Sequence, residues 1–380
     1  MIVAKIAAVI VGTVVVLAVL VSALETVVLP RGFTRIGRFS FAVADRVLIH
    51  RWGSRQREDN LRALYAPIAL VSLPLLWMLC VTLGFSLIFW GISHDTAQRA
   101  FEISGSSLLT LGFAEPSGTG RIALSFVEAT IGLGLVALLI SYLPTIYAAH
   151  HGRGNGISRL RPFAGTPAAP VSLLANLQRS RSLDNPELWQ AMGTWLLELE
   201  QTHTSFPALA YFPETSPDQS WVASVGSVLD GSALLLSASD ATSGNREGIG
   251  GPMLVLANGI PALVRIGRAA GLPIEPPALL VDLMASWSQP APSVSIRRQE
   301  YMAALDQLGS VIDVPEGERD ECWQRFAWIR SGYDLALRGL AGLTRAPPSP
   351  WTTDRPAEVG RPRVLVRRPI RVDWTISDSG

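Results

Sequence analysis

Lysine is almost absent. Lys5 is the only one in 380 residues, and every other basic side chain except histidine is an arginine. A GC-rich genome produces that bias with no functional cause. Cysteine is scarce as well: Cys80 lies in an apolar run and Cys322 far downstream. That argues against a disulfide framework or a cysteine-based zinc site. Charged residues are 17% of the chain and the formal net charge is +1, so there is no electrostatic footprint for nucleic acid. No GxSxG nucleophile elbow occurs, and Gly248-Ile249-Gly250-Gly251 follows no strand, which makes it a poor phosphate cradle. The chain is expected to be neither an enzyme nor a cofactor binder. No alternating series of strand residues appears before residue 360.

What the chain does have is apolar length. Hydrophobic residues are 48% of it and mean hydropathy is +0.30. The excess sits in three stretches before residue 150. Ile6–Leu24 carries no charge, and Ala63–His94 has no formally charged residue. Ala129–Ala149 is the third run, reaching back to Ile122 if Glu128 is tolerated. A hydrocarbon core takes roughly 20 apolar helical residues, and each run meets that length. The first run has only a weak small-residue match at Ser22-Ala23-Leu24-Glu25, so it is expected to stay as a span rather than be cleaved as a signal peptide.

Arginine sets the expected orientation. Arg31, Arg35, Arg38, Arg46, Arg51, Arg55, Arg57 and Arg62 lie between runs one and two, and Arg153, Arg159 and Arg161 follow run three. The segment between runs two and three has only Arg99 and Arg121, beside Asp95, Glu102 and Glu115. The positive-inside rule puts residues 30–62 and everything after 150 in the cytoplasm, with the N-terminus and 95–121 outside the plasma membrane. Arg31–Trp52 mixes Phe33, Ile36, Phe39, Phe41, Val43, Val47 and Leu48 with basic residues. It fits either an amphipathic segment on anionic membrane lipid or a solvated basic linker.

Between the second and third runs, Ala97–Leu109 is helix-compatible and runs directly into Ser104–Arg121, SGSSLLTLGFAEPSGTGR. This segment resembles the pore loop of the potassium-channel superfamily, whose filter is usually TVGYGD. Thr110, Leu111, Gly112, Phe113, Ala114 and Glu115 align with the six filter positions. Pro116 and Gly120-Arg121 resemble the family's lead into the inner helix. The resemblance implies a pore helix whose negative C-terminal dipole favours cations, backbone carbonyls that replace the hydration shell of permeant K⁺ or Na⁺, and a homotetramer, since one chain carries one loop. Leu111 for Val and Phe113 for Tyr are mild departures. Ala114 stands where the family has glycine, and alanine reaches positive φ only at a cost. On the inner helix, Gly132 and Gly134 suit a hinge or close packing. Glu128, an acid inside a span, is expected to act in gating or in the cavity, or to bond a nearby serine such as Ser106 or Ser107.

Downstream, Asp184-Asn185-Pro186-Glu187 is a strong helix start. Further helices are expected over about 219–237, 253–270, 277–286, 296–312 and 318–343. His203, Ser205, Tyr211, Glu214, Asp218, Ser220 and Trp221 cluster in sequence, as a turn or a contact rather than a catalytic set. The stretch THTSFPALAYFPETSPDQSW around them resembles, less closely, cytoplasmic regions of bacterial two-transmembrane channel proteins.

The expected fold class is an α-helical membrane protein, with three transmembrane helices, a pore helix and a filter loop, then an all-α cytoplasmic domain. Its expected parts are a first span at 1–28, a basic linker at 29–63 and a pore domain at 64–150 with its loop at 96–121. After these come a linker at 151–185, a helical domain at 186–345 and a Pro/Arg-rich tail at 346–380. The expected function is a tetrameric monovalent-cation channel with an altered filter. The alternative is a non-conducting membrane-anchored sensor or scaffold, which Ala114 would favour.

Overall fold

A computed structural model describes residues 2–27, 55–212, 219–239, 249–359 and 372–373. Arg31–Trp52, Glu214, Asp218 and Gly248 lie outside the described residues. The chain divides into two compact units, Met1–Ala148 and Ala149–Gly380.

The first unit holds α1 (Ile2–Val27), α2 (Arg55–Ile92), α3 (Ala97–Leu108) and the leading part of α4 (Thr119–Ala164). Among the described residues three helices are long and apolar enough to cross a membrane, through Ile2–Leu24, Pro74–Ile92 and Thr119–Ala164. Segments apolar on every face can satisfy their backbone in lipid only as helices. Glycines bring α1 and α2 together. A Cβ on Gly12 would overlap the Gly84 carbonyl, and one on Gly91 would stand 2.7 Å from the Lys5 carbonyl. Lys5 Nζ donates to the Ser93 carbonyl at 2.5 Å. The two helices therefore run antiparallel, with the start of α1 beside the end of α2. Pro144 removes one backbone donor from the middle of α4.

Thr96 starts α3 by accepting the Arg99 N–H on its Oγ1 at 3.2 Å. The helix buries Ala100, Ile103, Ser104, Ser106 and Leu108. Ala100, Ile103 and Leu108 join a cluster with Trp77, Val81, Phe85 and Phe89 of α2 and Leu135 of α4.

The second unit contains the end of α4, then α5 (Pro170–Arg179), α6 (Pro186–Ser205), a 3-10 turn (Pro207–Tyr211), α7 (Trp221–Ser237), α8 (Gly250–Ala269), α9 (Leu280–Ala285), α10 (Arg298–Gln307), α11 (Arg319–Ser331) and α12 (Asp334–Thr344). A two-residue antiparallel pair, β1 (Glu358–Val359) with β2 (Val372–Asp373), follows. Helix α7 is the centre of the unit: of its 17 residues only Leu235 escapes burial. A helix apolar all round belongs inside, and its polar groups must then bond within the protein. Ser227 and Ser232 back-bond to Ala223 and Val228 carbonyls. Asp230 pairs with Arg330 of α11, and both are fully buried. Arg330 also donates to Asp334 at 2.9 Å and to the Trp351 carbonyl at 3.0 Å. Tyr333 donates to Asp230 at 2.7 Å. Burial pushes the Asp230 carboxyl up while Arg330 and Tyr333 pull it back.

Three expectations are corrected. Residues 151–185 are mostly not a linker: α4 continues to Ala164 and α5 occupies Pro170–Arg179. Its glycines and prolines suggested a linker, but Leu173, Leu174 and Leu177 are fully buried in the core of the unit and Pro170 opens α5. The helix expected over 318–343 is two helices, because the chain turns at Gly332-Tyr333 to seat Tyr333 against Asp230. The tail does not leave the core at residue 346: Trp351, Thr352, Thr353 and Ala357 are buried, and Arg355 holds Glu300 at 2.6 Å.

Two glycines of α4 supply a paired test. A Cβ on Gly156 would overlap the Trp195 indole, whereas one on Gly154 meets nothing within 4 Å. Gly156→Ala is expected to destabilise the protein by about 1–3 kcal/mol through overpacking. Gly154→Ala is expected to stabilise it by up to about 1 kcal/mol through helix propensity. Denaturant unfolding of the purified protein in detergent measures both.

Candidate functional site

Helix α3 ends in a defined motif. The Thr110 N–H donates to the Ser107 carbonyl at 3.1 Å, and the Leu111 N–H to the Ser106 carbonyl at 2.8 Å. Thr110 between them has φ +52°. This is the Schellman closure, which satisfies two carbonyls at the helix end. Glycine or asparagine usually takes the left-handed position, and a β-branched residue there is strained. Gly112 is also left-handed, with φ +73°. Ala114 is not: among the described residues, positive φ outside glycine occurs only at Thr110, Arg181, Arg345 and Trp351. The Ala114 N–H donates to Ser106 Oγ at 3.1 Å, and its side chain is buried in the cluster with Trp77 and Ile103. Leu111 and Phe113 point the other way, 60% and 66% exposed. Glu115 is exposed. Arg121 closes the loop, donating to Asp95 and to Ser117, both at 2.7 Å.

Helix α4 backs α3 in register. Ser104 and Leu108 are four residues apart on α3, and Glu128 and Gly132 four apart on α4; such pairs share a helix face. Glu128 is fully buried, and its Oε1 lies 2.5 Å from Ser104 Oγ. The same hydroxyl lies 2.8 Å from the Thr82 carbonyl of α2. A Cβ on Gly132 would overlap the Leu108 carbonyl, so Gly132 is a packing glycine, while Gly134 has open space around it. The serine beside Glu128 is therefore Ser104 and not Ser106 or Ser107. Ser106 Oγ faces the loop, and Ser107 Oγ back-bonds to Ile103. The matching four-residue spacings were the available signal for this register.

A second cluster lies in the Ala149–Gly380 unit, and its key member is Arg153, which a count of basic residues does not single out. Arg153 is buried and donates to the Leu209 carbonyl at 2.7 Å and the Phe212 carbonyl at 2.8 Å. Its guanidinium also faces His150 Nδ1 at 3.1 Å and His203 Nε2 at 3.5 Å. Arginine only donates, so His203 Nε2 accepts and its Nδ1–H donates to the Leu199 carbonyl at 2.9 Å. Burial, then the Arg153 charge, pushes the His203 pKa down to about 3. Trp221 packs its ring 4.8 Å from the imidazole, and Ser220 caps α7. Within the sequence cluster, His203 thus meets Arg153 and Trp221, and Ser220 caps a helix. Among the described residues no group of three or more His, Cys, Asp or Glu is placed to hold a metal. No protein-family model, curated protein or solved structure matches the chain.

Two outcomes follow from this geometry. Gly132→Ala is expected to lower stability in detergent by about 1–3 kcal/mol, since a backbone carbonyl cannot step aside cheaply; Gly134→Ala, with free space, is expected not to lower it. The second concerns pH. Unfolded His203 takes up a proton near pH 6.5, and the folded side chain only near 3. Between these values the unfolded state binds more protons, so stability is full above about pH 6.5 and falls as pH drops towards 3. Denaturant titrations across this range should show a shallower fall in His203→Gln.

Proposed function

We propose that the chain is one subunit of a tetrameric cation channel of the potassium-channel type, with Thr110–Glu115 as its selectivity loop. One observation carries the reading. Between two candidate spans, a short helix ends on a loop whose φ is positive at every second residue, Thr110 and Gly112, with Leu111 and Phe113 exposed. The Thr110, Leu111 and Ala114 N–H groups bond back to α3, which in this reading leaves the loop carbonyls for the other side, and a cage of carbonyls around K⁺ or Na⁺ needs that arrangement. One loop makes one wall, and four copies close the cage. Exposed Phe126, Leu133 and Ile140 on α4 are apolar surface for the other copies and for lipid.

In this reading α3 is the pore helix and α4 the inner helix, with the N-terminus and the loop outside the plasma membrane. The Lys5–Ser93 bond supports setting those two on one side. The Ala149–Gly380 unit is the cytoplasmic domain. It holds the distal part of α4 through Arg153, and that continuous helix is the route by which the unit gates the pore.

Ala114 favours a second reading, a non-conducting sensor or scaffold. Its φ breaks the alternation, and its side chain is packed behind the loop. Ion flux in liposomes separates the two. The expected result is monovalent-cation flux with poor preference for K⁺ over Na⁺, and a gain in K⁺ preference or conductance in Ala114→Gly. No flux under any stimulus would favour the sensor. Strong K⁺ selectivity that Ala114→Gly leaves alone would remove Ala114 as the determinant.

A further inference from the structure

We infer that Glu128 is a protonated acid that donates its O–H to Ser104, which in turn donates to the Thr82 carbonyl, and that this relay positions the selectivity loop. The count of hydrogens carries it. A serine hydroxyl owns one proton. Ser104 Oγ has two oxygen neighbours at bonding distance, the Thr82 carbonyl at 2.8 Å and Glu128 Oε1 at 2.5 Å. The Thr82 carbonyl can only accept, and it also accepts from Ser86 Oγ at 2.6 Å. If Glu128 were a carboxylate, it too could only accept, and one proton would have to serve both contacts. A hydrogen on Glu128 Oε1 removes the conflict, and each oxygen pair then has its own proton.

The surroundings agree. Glu128 Oε2 is buried without a partner, which a neutral carboxyl tolerates far better than a carboxylate. Arg99, Arg121 and Lys5 are engaged elsewhere, with Glu102, Asp95 and the Ser93 carbonyl. The relay joins α2, α3 and α4 through a single hydroxyl, one turn before the α3 end that bears the loop. Glu128 is therefore a positioning residue that faces the back of α3 and not the ion path. That role rests on the channel reading; the proton assignment does not.

Infrared difference spectra of the lipid-reconstituted protein, wild type minus Glu128→Gln at neutral pH, test the assignment. A carboxylic-acid carbonyl band present in the wild type and lost in the variant is expected. Loss of carboxylate bands alone would overturn the inference. If Glu128→Gln fails to fold, Ser104→Ala replaces it. The acid band should then move to higher frequency as its O–H loses the serine, and an unmoved band would overturn the relay. In flux assays Glu128→Gln, whose amide can still donate, should conduct more than Glu128→Leu; equal conduction would overturn the positioning role. A wild type that never conducts would defeat the channel reading and leave the infrared result standing.

Discussion

The contact between the Leu108 carbonyl and the bare Cα of Gly132 is the constraint on which the first unit turns. A short helix between two long apolar ones must end somewhere, and its last carbonyls then lack helical donors. Here Thr110 and Leu111 return two N–H groups to α3, Ser106 takes a third from Ala114, and Gly132 lets α4 approach closely enough to hold the end in place. One turn earlier, Glu128 and Ser104 repeat the contact in polar form. The loop thus has a fixed back, with Ala114 in it, and an exposed front made of Leu111 and Phe113. A channel reading needs both: a backbone that cannot relax, and a face left for other copies.

The second unit solves a different problem. Its central helix is apolar enough to vanish into a core, yet it carries Asp230. That acid is kept by Arg330, Tyr333 and, through Arg330, Asp334, which draws α11, α12 and the segment at Trp351 around α7. Removing Asp230 or Arg330 would strand a buried charge, at a cost of about 3–5 kcal/mol. The network therefore fixes how the helices assemble, more than it adds net stability. Helix α4 enters the same core through Ile157, Leu160 and Ala164, so its distal half is a structural part of that unit.

The three long apolar helices were legible in the sequence because composition alone decides them: long runs without charge have few other fates. The start of α6 was legible because Asn185 and Pro186 act locally. Partners across elements were not. Ser104, Ser106 and Ser107 look equivalent in the sequence, and only the faces of α3 and α4 assign Ser104 to Glu128 and Ser106 to the loop. Gly132 and Gly134 look alike too, and differ because one faces Leu108 and the other faces open space. Residues 151–185 read as a linker, yet the missing side chain of Gly156 is the space that the Trp195 indole fills. Arg153 was counted as a charge for orientation, whereas it is buried and bonded to two carbonyls.

A density map of the purified protein in lipid with K⁺ bears most directly on the account. The account predicts four copies around an axis, residues 110–113 facing it, and cation density between their carbonyls, with no ordered ion at the level of Ala114. A single copy, or four copies whose 110–115 segments face away from the axis, would contradict it.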